Sequence, residues 1–133
     1  MGKEKHKKIV YSCSGCSSAA QMANWIAVQM DRGGLAEMSC IAGVGVGVKP
    51  LVERARSAEV IIGVDGCVLH CVKHCLNQQG LKCTYHYNLP DFGVKKKYHE
   101  DFDKEEAQQV RGRIEADFIR RHEHDQRASQ KGL

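Results

Sequence analysis

The sequence contains no long apolar run, and this absence excludes whole classes of protein. No hydrophobic stretch among its 133 residues approaches the ~20 residues that a membrane-spanning helix needs. The charged start, Met1 to Lys8, is not followed by an apolar segment long enough for a secretory signal peptide. We therefore expect a cytoplasmic protein that neither enters a membrane nor is secreted.

Phosphate-binding and nucleic-acid-binding signatures are also missing. The glycines at Gly43, Gly45 and Gly47 do not follow the G-x-G-x-x-G dinucleotide pattern, and no Lys-Ser or Lys-Thr pair makes them a P-loop. The loop after Cys13 lacks the arginine that a cysteine phosphatase requires. Aromatic residues are only 6% of the chain and form no stripe, so the net charge of +4 does not favour nucleic acid. That charge is concentrated at the two ends of the chain.

The hydrophobic pattern predicts four strands that alternate with four helices. The strands are expected at Ile9–Tyr11, Met38–Ala42, Val60–Val64 and Leu81–Leu89. The first helix begins at a capping box of Ser18 and Gln21 and stops at Gly33, and Pro50 opens the second. The third helix runs over about 68–79, and the fourth begins at Asp103.

Alternating strands and helices are typical of right-handed βαβ units around a parallel sheet. We expect a small doubly wound α/β fold of the Rossmann or flavodoxin type, with a four-stranded parallel sheet in the order 2-1-3-4 and helices on both faces. Residues 1–121 form one domain in this reading. Its sheet-bearing part covers about 7–90 and its C-terminal helix about 103–121, followed by a flexible basic tail at 122–133.

The seven cysteines are the most informative residues in the chain. In a reducing compartment, cysteines in this number indicate metal or thiol chemistry more than disulfides. Cys13 ends the first predicted strand, Cys40 lies near the end of the second, Cys67 follows the third, and Cys71 is one helical turn further on. Ligands bind beyond the carboxyl ends of parallel strands, so these four thiols are expected to meet at one edge of the sheet.

The chemistry of that edge favours thiolates and therefore a metal. Cys16 and Cys67 are predicted to lie at or just before helix N-termini, where backbone N–H groups and the helix dipole stabilise negative charge. Four thiolates in a tetrahedral arrangement suit zinc. Cys13, Cys40, Cys67 and Cys71 are accordingly the candidate ligands, and zinc is the expected cofactor.

The remaining cysteines and histidines have weaker signals. Cys75 shares an apolar helix face with Val72 and Leu76, and Cys83 shares a strand face with Tyr85, so both are expected in the core. Cys16 forms a C-x2-C pair with Cys13, a spacing that both zinc and redox sites use. His70 and His74 fall on the Cys67 side of the third helix, where they serve either as alternative ligands or as solvated residues.

The cysteine-bearing segments resemble those of the DGC-domain family, small proteins with an inferred zinc-binding role that are named after a central Asp-Gly-Cys. The similar segments here are Cys13–Gly15, Cys40–Gly45 and Asp65–Cys71. The resemblance covers roughly residues 7–90 and implies four chelating cysteines, which correspond to Cys13, Cys40, Cys67 and Cys71. It supplies no known reaction.

The sequence thus favours a cytoplasmic metal-binding protein with a thiolate-rich zinc site that is structural or handles metal. The alternative is a redox or sulfur-transfer protein with an activated thiol at Cys13 or Cys67, resolved by Cys16 or Cys71. An iron–sulfur protein is a third option, because thiolates bind iron as well as zinc. Both a monomer and a small homo-oligomer fit, and no specific protein partner is indicated.

Overall fold

A parallel β-sheet of four strands forms the centre of the molecule. The computed structural model describes residues 7–131. The strands lie in the order β2-β1-β3-β4, as the sequence predicted, and every neighbouring pair is parallel. Their bounds are β1 Lys8–Ser12, β2 Glu37–Met38, β3 Val60–Asp65 and β4 Tyr85–Asn88. All six residues of β3 are buried, as expected for a strand between two others with both faces covered.

Five α-helices surround this sheet: α1 Ser18–Arg32, α2 Ile41–Gly45, α3 Lys49–Arg56, α4 Cys71–Gln78 and α5 Lys104–Lys131. Contacts of neighbouring strand residues show that the helices cover both faces of the sheet. The Ser12 hydroxyl reaches Asn24 of α1, whereas Gly63, the partner of Tyr11 in the ladder, lies against Val72 of α4. Helix α5 packs beside α1, and α2 packs between α3 and α4. No helix within residues 7–131 is both long enough and apolar enough to cross a bilayer.

The second strand is shorter than predicted. It stops at Met38, and Cys40 becomes the N-cap of the short helix α2 instead of lying in a strand that reaches Ala42. The Cys40 sulfur accepts a hydrogen bond from the Gly43 N–H at 3.4 Å, which satisfies one of the free donors at the helix start. Gly43 lies in this helix, and the Leu51 side chain occupies the space that a Cβ would need there.

Helix α4 begins at Cys71, three residues later than predicted. Val68 and Leu69 are 74% and 60% exposed, so they form a turn rather than the first part of an apolar helix face. His70, the N-cap, has φ 55° and ψ 49°, a left-handed conformation that few residues other than glycine adopt. Cys67 therefore lies four residues before the helix and not at its N-terminus.

Two helix ends also differ from the predictions. The N-cap of α1 is Ser17, whose Oγ accepts from the Ala20 N–H at 3.1 Å, while Ser18 Oγ accepts from the Lys97 N–H. Helix α5 starts after Asp103 as expected, but it continues to Lys131, so residues 122–131 are helical instead of a flexible tail. The Tyr85 hydroxyl holds this extension by donating to Asp125 at 2.5 Å. Residues 132 and 133 of the predicted tail lie outside the described residues.

Candidate metal centre

Four cysteines from separate segments lie just after strands or at a helix start near the carboxyl ends of the sheet. Cys13 follows β1, Cys40 comes two residues after β2, Cys67 comes two residues after β3, and Cys71 is the first residue of α4. We call this set, Cys13, Cys40, Cys67 and Cys71, the thiol edge. Cys13 is buried, Cys67 is half-buried, and the other two are exposed.

The Asp-Gly-Cys segment begins with a carboxylate that fixes the start of α4. Asp65 is only 1% exposed. Its Oδ1 accepts from the Val72 N–H at 2.9 Å, and its Oδ2 lies 2.8 Å from His86 Nε2. The carboxylate thus satisfies a free N–H in the first turn of α4 and ties that turn to β4. Because Cys71 precedes Val72, the same bond fixes the backbone that carries the Cys71 thiol.

Gly66 fills a position where a side chain has no room. A Cβ at this residue would lie 2.7 Å from the carbonyl carbon and oxygen of Ala19, and 2.9 Å from the Ala20 nitrogen. The first turn of α1 therefore packs directly on the backbone between Asp65 and Cys67. The Gly66 N–H also donates to Cys13 Sγ at 3.2 Å, which joins the β1 and β3 ends of the thiol edge.

Burial and nearby charges affect the ionisation of the Cys13 thiol. Burial is the main cause that raises the pKa of Cys13 to about 11, and the Gly66 N–H bond opposes it. The negative charges of Asp65, Cys71 and Cys67 add to the increase in the pKa of Cys13, so these groups lie within electrostatic range of its sulfur. Burial and then the charge of Cys71 likewise raise the pKa of Cys75, one turn further along α4.

A lysine side chain lies beside the thiol edge. Lys96 Nζ lies 3.6 Å from Cys67 Sγ. The segment that carries it is fastened to α1 by two hydrogen bonds, from the Ser18 N–H to the Lys97 carbonyl at 2.8 Å and from the Lys97 N–H to Ser18 Oγ at 3.0 Å. Lys96 therefore brings a positive charge to the exposed side of Cys67.

Cys40 reaches the thiol edge through the packing of two short helices. Helix α2 runs along α4 in the same direction: Gly45 lies against the Cys75 side chain, and Gly47, just beyond α2, faces Gln79 at the end of α4. The N-cap of α2 is therefore at the same end of the pair as Cys71.

The donor chemistry of the thiol edge fits zinc, whereas its side-chain arrangement is not a formed site. Thiolate sulfur is the ligand that structural zinc prefers, and four cysteines complete a tetrahedral set. Among residues 7–131, no three or more His, Cys, Asp or Glu side chains are gathered closely enough to hold a metal ion. Binding thus requires side-chain rotation at the thiol edge.

The remaining cysteines, and the two histidines of the third predicted helix, differ in exposure. Cys83 is half-buried between the sheet and α4, and Cys75 is half-buried between α4 and α2. Burial raises the pKa of Cys83 to about 12. Cys16 is exposed, in the turn just before α1. His74 is exposed on α4, and His70 is half-buried with its ring 5.0 Å from that of His86.

Sequence reasoning missed the β4 residues that support the segment. Asn88 is buried beside Asp65 in the strand register. With its amide oriented to match its neighbours, its nitrogen donates to the Cys67 carbonyl at 2.8 Å and its oxygen accepts from His70 Nε2 at 3.2 Å. The signal for His86 and Asn88 was their position in the last strand, but only the β3–β4 register identifies Asp65 as their neighbour.

Similarity to known proteins covers most of the sequence. The sequence model of the DGC domain matches residues 9–114. The chain is 52% identical over 102 residues to a protein of Pseudomonas aeruginosa named anaerobic and virulence modulator AnvM, a match that covers 77% of this chain and 78% of that protein. No solved structure matches significantly.

Proposed function

Because the chain belongs to the DGC-domain family, we propose that it is a metal-binding protein whose site is the thiol edge. The ligands are Cys13, Cys40, Cys67 and Cys71, and the metal is zinc. The observation that carries the proposal is that Cys13, at the end of β1, lies against the Asp65–Cys71 segment: its Sγ accepts from the Gly66 N–H at 3.2 Å, and the thiols of Cys71 and Cys67 are within electrostatic range of it. Such a cluster has no evident use in a stable core, since cysteines that serve only as small apolar residues need no neighbouring thiols.

The electrostatics of the cluster explain why it needs a cation. Each sulfur that ionises makes ionisation of the next less favourable, and the buried carboxylate of Asp65 adds to this repulsion. A bound divalent zinc ion supplies the positive charge that keeps several thiolates deprotonated together. Lys96, 3.6 Å from Cys67 Sγ, contributes further positive charge at the exposed side.

The supporting residues hold the backbones of Cys67 and Cys71 and the sulfur of Cys13. Asp65 fixes the first turn of α4, Asn88 bonds to the Cys67 carbonyl, and the Gly66 N–H bonds to Cys13 Sγ. Loss of a group that orients a metal ligand typically costs about 10–100-fold in metal affinity. Cys40, on the end of α2, closes the site from the β2 side.

The biological role we propose is regulatory, with metal binding as its structural basis. The relative from Pseudomonas aeruginosa is named as a modulator and not as an enzyme, and at 52% identity the same class of role suits this chain. We place the protein in the cytoplasm because all seven cysteines are free, a usage typical of reducing compartments.

Metal content measured by native mass spectrometry after anaerobic purification tests the proposal. We expect about one zinc per chain in the unmodified protein, as a single four-thiolate site requires. Cys67→Ser and Cys71→Ser should lose most of it. Cys83→Ala is the matched control, because it removes a cysteine that lies outside the thiol edge, and it should retain the metal.

A folded protein that neither carries zinc nor takes it up after reduction would refute the proposal. Equal zinc content in Cys67→Ser and Cys83→Ala would refute the ligand assignment. A brown protein with iron and labile sulfide would replace zinc by an iron–sulfur cluster. Cys16→Ser distinguishes between Cys40 and Cys16 as the fourth ligand, because only a ligand's substitution lowers the zinc content.

One observation favours a second candidate function, a thiol-based redox or sulfur-transfer protein. Lys96 Nζ lies 3.6 Å from Cys67 Sγ, and a cationic neighbour is typical of reactive cysteines; in this alternative Cys71 or Cys13 resolves the oxidised Cys67 sulfur. Cys67 is the nucleophile in this alternative. Cys13 is not, because burial and its neighbours raise the pKa of Cys13 to about 11. Fast alkylation of Cys67 alone, in protein without metal, would favour this function.

A further inference from the structure

Half of the large apolar side chains that the described part of the chain exposes lie around one turn and the loop beside it. Val68 and Leu69 follow Cys67 in the turn before α4, and Tyr98 lies in the loop that leads to α5. The Lys96 ammonium joins the two segments, because it lies 3.6 Å from Cys67 Sγ and 5.3 Å from the centre of the Tyr98 ring. Exposed apolar side chains that cluster in this way are typical of an interaction surface.

The loop that carries Tyr98 has positive charges on one side of this residue and negative charges on the other. Three lysines, 95–97, precede Tyr98, and Glu100 and Asp101 follow it after one histidine. All five charged side chains are exposed. We define the bipolar surface as residues 67–69 and 95–101.

These opposite charges lie close together but do not pair with each other. One cavity, between the loop and the start of α1, is lined in part by Lys95, Lys97, Glu100 and Asp101. Within the part of the chain that the structure describes, none of these four side chains forms an ion pair. Charges of both signs therefore remain available to a partner.

Hydrogen bonds and packing hold the loop in one arrangement. The Ser18 N–H donates to the Lys97 carbonyl at 2.8 Å, and Ser18 Oγ accepts from the Lys97 N–H at 3.0 Å. Val94, at the start of the loop, is buried, and the Phe102 ring lies 6.1 Å from that of Trp25 in α1. A partner thus meets the bipolar surface already ordered, which removes an entropic cost of binding.

A surface with this arrangement of charge is complementary to itself. In a twofold-symmetric dimer every contact occurs twice, with the roles of the two copies exchanged. When the twofold axis passes near Tyr98, the lysines of each copy face the carboxylates of the other. A partner with charges of a single sign would instead be repelled by part of the surface.

We propose that the bipolar surface is a homodimer interface, with a second copy of this chain as its partner. Tyr98 lies at the centre of the contact, and Val68 and Leu69 lose exposed apolar area beside it. Because Cys67 belongs to the surface, the dimer brings the exposed sides of two thiol edges together. This inference does not depend on a bound metal.

Sedimentation velocity in the presence of chelator and reductant tests the inference, because neither metal nor a disulfide then joins two chains. The unmodified protein should shift from the mass of one chain to that of two as its concentration increases. Salt screens exposed charges, so the dimer should weaken as the ionic strength increases.

Charge reversal on each side of Tyr98 tests the pairing across the interface. One variant carries Lys95→Glu, Lys96→Glu and Lys97→Glu, and the other carries Glu100→Lys and Asp101→Lys. Each variant alone places like charges opposite each other, which should raise the dissociation constant of the dimer at least about tenfold. An equimolar mixture of the two variants should regain the dimer, since opposite charges then face each other at both contacts.

Val68→Ser tests the apolar part of the surface, and Val46→Ser is its matched control. Val68 is 74% exposed and Val46, at the end of α2, is 80% exposed, so neither substitution opens the core. Only Val68 belongs to the bipolar surface. Val68→Ser should therefore weaken the dimer, and Val46→Ser should not.

Three outcomes would overturn the inference, once circular dichroism has verified that each variant is folded. An unmodified protein that remains a single chain at every concentration would leave the bipolar surface to a different partner. A dimer that both charge-reversal variants retain would place the interface on another face. A mixture of the two variants that stays monomeric would show that the two groups of charges do not meet. The zinc content measured for the proposed function is independent of all three.

Discussion

Gly66→Ala should destabilise the protein strongly, although it adds a single methyl group. The added Cβ would lie 2.7 Å from the carbonyl carbon and oxygen of Ala19 and 2.9 Å from the Ala20 nitrogen. These are backbone atoms in the first turn of α1, so no side-chain rotation relieves the overlap. Either the Asp65–Cys67 segment or the start of α1 must move, and each movement disturbs the thiol edge.

The size of the effect follows from the rigidity of the surroundings. Overpacking of a closely packed interior costs about 1–3 kcal/mol, and the upper part of this range applies where backbone must shift. The hydrogen bond from the Gly66 N–H to Cys13 Sγ, 3.2 Å in length, is disturbed at the same time. With a urea dependence of about 1.5 kcal/mol per molar, a loss of about 3 kcal/mol lowers the unfolding midpoint by about 2 M.

The assay is urea unfolding followed by far-ultraviolet circular dichroism, with chelator and reductant present so that metal does not contribute. Gly112→Ala is the matched control, because a Cβ at Gly112, inside α5, would meet nothing within 4 Å. In a helix interior this change should raise the unfolding free energy by about 0.5–1 kcal/mol. If both variants unfold at the same urea concentration, the close approach of α1 to Gly66 is not a real constraint and the reasoning fails.

Two further predictions concern ionisation. Burial opposes the ionisation of Asp117, but hydrogen bonds from Tyr87, Arg120 and Arg121 outweigh it and hold the pKa of Asp117 below its ordinary value. The resulting stability is complete above about pH 5 and is lost as the pH falls through the pKa of Asp117 in the folded protein. Asp117→Asn should therefore lose less unfolding free energy between neutral and acidic pH than the unmodified chain. An unchanged loss would contradict this prediction. Burial, and after it neighbouring charges, raise the pKa of Cys13 to about 11. Iodoacetamide near pH 8, in protein treated with chelator, should therefore label the exposed Cys16 at least about tenfold faster than Cys13. Peptide mass spectrometry measures the two rates, and equal rates would count against the burial argument.

The sheet could be predicted from the sequence because its signals are local. Val60–Val64 is continuously apolar, as is typical of a strand that is covered on both faces. The helices predicted between the strands favour a sheet in which all strands are parallel. The order β2-β1-β3-β4 was confirmed for this reason. Local signals also placed Cys13 and Cys67 beyond the ends of neighbouring strands.

Predictions failed where a short segment depends on its neighbours. Cys40 was expected near the end of a strand, but it caps the short helix α2, whose Gly43 N–H bonds to the Cys40 sulfur. The apolar pattern at Val68 and Leu69 suggested helix, yet both side chains are exposed and lie in a turn. The C-terminal helix passes residue 121, and Tyr85, distant in sequence, binds Asp125 in this extension.

By itself the sequence determined the class of fold and placed Cys13 and Cys67 just beyond the carboxyl ends of strands, because hydrophobic periodicity and the direction of parallel strands fix both. Only the tertiary structure decided what surrounds each sulfur. Asp65 and His86, and Gly66 and Ala19, are neighbours that no sequence spacing identifies. Their proximity comes from the register of adjacent strands and the close packing of helices on the sheet, and both arise only when the whole chain has folded.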